Sequence, residues 1–211
     1  GLPTERDEVG NVLITKPATS GMEDRKTVVL QSHLDMVHQK NSDTVFDFDN
    51  DPINSYIDGE WVTADGTTLG ADNGIAVAAS MAVLESKTIV HPAIEAIFTI
   101  DEETGMTGAF ALKPGWLKGE IMLNMDYEDE GELCIGCAGG IDNDVTLPIT
   151  REAVPVGSFG VALNLTGLKG GHSGVESHLQ RGNANKAMAR LVAELSAKHS
   201  FRLSELDGGS L

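Results

Sequence analysis

Residues 28–35 read Val28-Val29-Leu30-Gln31-Ser32-His33-Leu34-Asp35, a compact apolar run that ends in a histidine and an aspartate. Short apolar runs of this kind are typical of strands buried on both faces of a sheet. The pattern recurs twice. Residues 94–100 (IEAIFTI) run into Asp101, Glu102 and Glu103, and residues 121–125 (IMLNM) run into Asp126. Both are expected to be buried strands as well. Between the first two strands, Asn73 to Glu85 is Ala-rich, with Val77, Met81 and Leu84 on one side, which predicts a helix. Asp72, in GADNG, stands just before it. Strands alternating with helices predict an α/β fold with a mixed, largely parallel sheet. Aromatic residues at 5% and 24 glycines suit that class better than a β-sandwich.

In an open α/β sheet the C-terminal strand ends form one edge, and sites are built along it. His33, Glu102, Glu103 and Asp126 are expected to converge there, with Asp72 beside them. Singly, each acid reads as a solvated loop residue or, for Asp72, as a helix cap. Together they are costly, because clustered carboxylates repel and their pKa values rise unless cations neutralise them. One histidine among carboxylates suits Zn²⁺, Mn²⁺ or Co²⁺ better than a thiolate site does. A carboxylate such as Asp72 can bridge two ions about 3.5–4 Å apart.

Outward from these strands, Tyr56 to Thr63 reads as a hairpin with Asp58-Gly59 at its turn. The pattern changes near Gly140, dividing the chain into a first domain over 1–139, which carries the acid cluster, and a second domain over 140–211. In the second part, residues 144–150 and 158–166 are expected to be strands joined by a turn at Pro155 and Gly157. Ala184, Ala187, Met188, Leu191, Val192 and Leu195 keep helical spacing behind Asn183, a predicted N-cap. Phe201 to Leu203 is expected to begin a further strand. This second domain reads as α+β and as cut off at Leu211.

The formal net charge of −17 argues against nucleic acid or an anionic membrane as a partner. No apolar run approaches the ~20 residues of a membrane helix. The start, GLPTERDEVG, has neither an initiating Met nor a signal-peptide pattern. Cys134 and Cys137 form a single C-x-x-C with no second pair, and they read as reduced thiols of a cytoplasmic protein. An EF-hand beginning at Asp47 fails, since Pro52 and Asp58 stand where Gly and Glu belong.

SHLDMV, GTTLGADNGIA, IDEETG and LNMDYEDEGE, in this order and spacing, resemble the metal-dependent exopeptidase and aminoacylase family with two zincs. DFDNDPI, GCAGG, GLKGGHSG and HLQRGNAN are similar to its Xaa-His dipeptidase subgroup, related to carnosinases. The resemblance implies a zinc-exopeptidase-like catalytic domain with an inserted lid or dimerisation domain, a homodimer and a small peptide substrate. It implies that His33, Asp72 and Asp126 hold one zinc, and that Asp72 and Glu103 hold the other. Asp35 would orient a ligand, and Glu102 would be the general base on a water. His172, in GGHSG, would stabilise the oxyanion, acting from the second domain and often across the dimer.

The family also supplies a histidine for the second zinc from the far C-terminal part of its catalytic domain. His38, His91, His178 and His199 match no ligand motif, so each is expected to be structural or exposed. The expectation is therefore that residues 1–211 alone are an incomplete and inactive peptidase. Two rival functions stand beside the dipeptidase: an N-acyl amino-acid hydrolase or tripeptidase with the same metals, and a non-catalytic divalent-cation-binding protein. An unligated base beside two metals, as Glu102 would be, has no use in the last.

Overall fold

The computed structural model describes residues 1–137, 139–141, 143–171 and 176–209. The chain forms two compact units, Gly1–Gly140 and Ile141–Leu211.

The first unit is built on a five-stranded mixed sheet. Its strands are β1 (Thr4–Arg6), β2 (Val12–Lys16), β3 (Val28–His33), β6 (Ile94–Thr99) and β7 (Ile121–Asn124), in the order β1-β2-β6-β3-β7. β3 runs parallel to both of its neighbours, β6 and β7, while β2 lies antiparallel to β6 and β1 to β2. A separate hairpin pairs β4 (Ser55–Asp58) with β5 (Trp61–Ala64). Its two-residue loop is Gly59-Glu60, one position later than the sequence suggested, with Gly59 at a φ of 62°. A positive φ at the first loop position is what glycine permits at no steric cost.

Helices cover opposite faces of the sheet. α1 (Ala71–Glu85) packs Leu84, Val77 and Val83 against Leu30, Ile94, Ala96 and Phe98. On the other face Leu13, Val29 and Ile97 meet Leu112, Trp116 and Leu117, just beyond the short helix α2 (Thr107–Ala111). Of the buried residues of α1, Asn73, Ala76 and Ser80 are small or polar, and Leu84 alone is large and apolar. Met81, expected on the same side as Val77 and Leu84, is exposed. The connections leaving β3 and β6 thus pass to opposite faces, which opens a crevice at their C-terminal ends.

Two sequence expectations fail in physical terms. β7 is an edge strand, not a buried one: all four of its residues are exposed, because β3 is its only neighbour among the described residues. In the second unit, residues 144–150 and 158–166 form no strands, nor does 201–203. Their apolar side chains, among them Val145, Leu147, Val161 and Leu203, stay exposed. An alternating apolar pattern makes a strand only where a partner ladder and a surface to bury against exist. The turn between them does form, with Ser158 N–H donating to the Pro155 carbonyl at 3.2 Å. So does the helix α3 (Ala184–Lys198), capped by the Asn183 side chain, which accepts from Lys186 N–H at 2.8 Å. Ala184, Met188, Val192 and Leu195 form its half-buried stripe. Cys134 and Cys137 are free and exposed.

Candidate metal centre

His33 ends β3 and is 1% exposed. Its Nδ1 lies 2.9 Å from the Asp35 carbonyl oxygen, which requires a proton on that nitrogen. Nε2 faces the carboxylates, 3.2 Å from Asp72 Oδ1 and 3.6 Å from Asp126 Oδ1; it donates to them when protonated and offers its lone pair to a cation when not. An imidazole held through one nitrogen and free at the other is the usual state of a metal ligand.

The Glu102-Glu103 turn follows β6 and is held at both ends. Asp35 accepts from Glu102 N–H and from Glu103 N–H, each at 3.1 Å. Asp101 precedes the pair at a φ of 56°, a left-handed conformation that aspartate tolerates better than most residues. Its carboxylate accepts from the hydroxyls of Thr104 and Thr107. Below the turn, Gly108 in α2 donates its N–H to the Ile100 carbonyl at 3.1 Å. Asn11 ties the two together, donating to the Gly108 carbonyl at 2.9 Å and accepting from Ile100 N–H at 3.2 Å. A Cβ at Gly108 would lie 2.4 Å from Asn11 Oδ1 and 2.6 Å from the Ile100 carbonyl, so only glycine fits.

Asp72 projects from the irregular first turn of α1, where neither it nor Asn73 has helical backbone angles. The helix has no side-chain cap, so Asp72 is not serving as one. The donor atoms of His33, Asp72 and Glu103 lie within 4.8 Å of one another, as do those of His33, Glu102 and Asp126. Glu102, expected to act as a base, therefore also stands within ligand reach. An apolar hollow lined by Ile97, Ile100, Met106 and Met122 opens beside Glu102 and Asp126.

The electrostatics carry the mark of uncompensated negative charge. Burial pushes the Asp126 carboxyl up, and the hydrogen bond and charge of Asp72 add to it, bringing its pKa to about 6. Glu103 rises through burial and through the charges of Asp72 and Glu102. Burial alone would lower the His33 pKa, but Asp126, Asp35 and Glu102 outweigh it and raise it. Asp35 goes the other way: burial resists, yet the two N–H groups of the glutamate pair stabilise its charge. Cations placed among these groups would relieve the repulsion, so the donor set fits divalent metal.

The structure thus brings together His33, Asp35, Asp72, Glu102, Glu103 and Asp126. His172 lies outside the described residues. Sequence reading passed over Asn73, which is buried and binds both His33 and Asp126. It also passed over Asp101, for which the spacing to Thr104 and Thr107 was the available signal.

A mixed α/β sheet with histidine and carboxylates at its C-terminal edge is the architecture its motifs pointed to. Over its whole length the chain is 56% identical to the cytosol non-specific dipeptidase of Escherichia coli (strain K12), covering 44% of that protein. The crystal structure of the aminoacylhistidine dipeptidase from Vibrio alginolyticus matches at 55% identity and a TM-score of 0.65, over 93% of this chain and 40% of that one. Both of these proteins are named dipeptidases, and the chain, similar to them over nearly all of its own sequence, spans less than half of their length. A tripeptidase of Staphylococcus aureus shares the fold over 61% of this chain and 35% of its own, at 24% identity and a TM-score of 0.50. No family model matches the chain. Among the described residues no helix is long and apolar enough to cross a membrane.

Proposed function

We propose that the chain carries the metal centre of a cytoplasmic dipeptidase that hydrolyses Xaa-His and related dipeptides. The observation that carries this reading is a single buried imidazole facing four carboxylates at one sheet edge, in a chain similar throughout to named dipeptidases.

His33, Asp72 and Asp126 would hold one zinc; Asp72 and Glu103 would hold a second, with Mn²⁺ or Co²⁺ as alternative ions. When bound, the metal would polarise the scissile carbonyl and bring the pKa of a water in the site to about 7. The remaining roles fall to the chain. Asp35 fixes the glutamate backbone and the His33 tautomer together, so that base and ligand keep their spacing. Glu102 would take the proton of the attacking water and return it to the leaving amine, worth about 10²–10⁴-fold. His172, by the resemblance, would stabilise the developing oxyanion. Residues 140–211 would form the lid and the dimer contact.

Calorimetric zinc titration of the chain, with dipeptide, tripeptide and N-acetyl amino-acid assays alongside, tests the reading. Tight zinc uptake is expected in the wild type and its loss in His33→Ala. Equal uptake by both would sink the metal centre. Turnover confined to N-acetyl amino acids would replace the dipeptide as substrate.

A further inference from the structure

β3 and β7 pair only as far as Gln31 opposite Asn124. Beyond that point the strands still have backbone groups to satisfy. Along β3 the even-numbered donors serve β6: Val28 N–H binds the Ala93 carbonyl at 3.0 Å and Leu34 N–H the Thr99 carbonyl at 2.8 Å. Alternation then turns the His33 N–H toward β7, where the ladder has already ended. The side chain of Asn73 fills that place. Its Oδ1 accepts from His33 N–H at 3.3 Å, and its Nδ2 donates to the Met125 carbonyl at 3.4 Å. The same Nδ2 donates to Asp126 Oδ1. Asn73 is buried, so without it the His33 N–H would lose the acceptor it has here and the Met125 carbonyl its donor.

From this geometry we infer that Asn73 is a positioning residue, an amide rung that sets the separation of His33 and Asp126 where the two strands part. The inference rests on the metal-centre reading above. The chemistry of the site selects the residue type. One side offers a backbone N–H and needs an acceptor. The other offers a carbonyl and a carboxylate and needs a donor. Among side chains of this size only a primary amide supplies both. Aspartate has the same shape and can still accept from His33 N–H, but it cannot donate to Asp126 and sets a second negative charge against it. A further carboxylate would by charge alone strengthen cation uptake. Geometry and charge therefore push Asn73→Asp in opposite directions, which makes it a sharp test.

The experiment uses the whole chain with Co²⁺ as the probe, read by calorimetry and by the visible d–d spectrum, for wild type, Asn73→Asp and Asn73→Ala. Circular dichroism establishes that each variant is folded. Cobalt affinity is expected to fall about 10–100-fold in both variants, the usual effect of losing a group that orients a ligand. The spectrum of the cobalt that remains bound is expected to change in band position and intensity. Asn73→Asp with unchanged or tighter binding and the wild-type spectrum overturns the inference and leaves the metal centre standing. Failure of both variants to fold also overturns it, assigning Asn73 to the core. A wild-type chain that takes up no cobalt removes the metal-centre reading, and this inference falls with it.

Discussion

β6 and β7 look alike in sequence, IEAIFTI against IMLNM, each an apolar run that ends in acid. In the fold they are opposites. All six residues of β6 are buried, and all four of β7 are exposed. β6 has β2 on one side, β3 on the other, and side chains packed on both faces. β7 has β3 alone among the described strands. An apolar run marks a capacity for burial, and the neighbours decide whether it is realised. Yet both strands deliver their acids to the same place, because alignment along β3 fixes where each one ends.

The strongest way to sharpen this contrast is at the strand ends. In a protein of its relatives' full length, Glu102→Gln, after β6, is expected to keep zinc and to lower dipeptide turnover about 10²–10⁴-fold. Asp126→Asn, after β7, is expected to lose zinc. Metal analysis beside the assay separates them, and loss of zinc from Glu102→Gln would make Glu102 a ligand, as its reach to His33 and Asp126 allows.

Within the strands, Ile97→Ala is expected to cost about 2–5 kcal/mol, since Ile97 is 0% exposed and truncation leaves a cavity in the core. Leu123→Ala, at a residue 49% exposed, is expected to cost less than about 1 kcal/mol. Urea denaturation of both variants checks the pair. Equal losses would mean that the β7 edge is covered in solution.

The smallest effect is that of pH on the two ends. Asp126 and His33 both have raised pKa values, Asp126 at about 6. In the metal-free chain a raised carboxyl is a penalty that acid relieves. A raised histidine stabilises below its unfolded pKa and loses that contribution as pH rises through the folded one. Both effects make the metal-free fold more stable at about pH 5.5 than above pH 7. Zinc requires the unprotonated forms, so its affinity is expected to fall as pH drops through about 6. Thermal melts with and without zinc across this range should therefore slope in opposite directions; parallel slopes would remove Asp126 from the metal set.

Much of the site was legible because strand ends are legible. An apolar run that stops at His33, Glu102 or Asp126 states both the element and its edge. Asn73 was not, since a polar residue at the head of an Ala-rich segment reads as the start of a helix; that it completes a ladder depends on where β7 stops. Residues 144–150 and 158–166 failed for the same reason as β7. Periodicity records which side chains would share a face, and says nothing of whether another surface lies against it. The Asn183 cap, by contrast, is settled within four residues, and local chemistry suffices for it.

Gly108 has no side chain to offer the site, yet the placement of the acid pair depends on it. Its backbone lies against Ile100, two residues before Glu102, with Asn11 wedged alongside. Any methyl group there has to move one of the two, and both are tied to the turn that carries the glutamates. In a random library, therefore, variants at this remote and chemically blank position would rank with those at the acids themselves, and a map of sensitivity would trace the mechanical support of the centre as well as its chemistry.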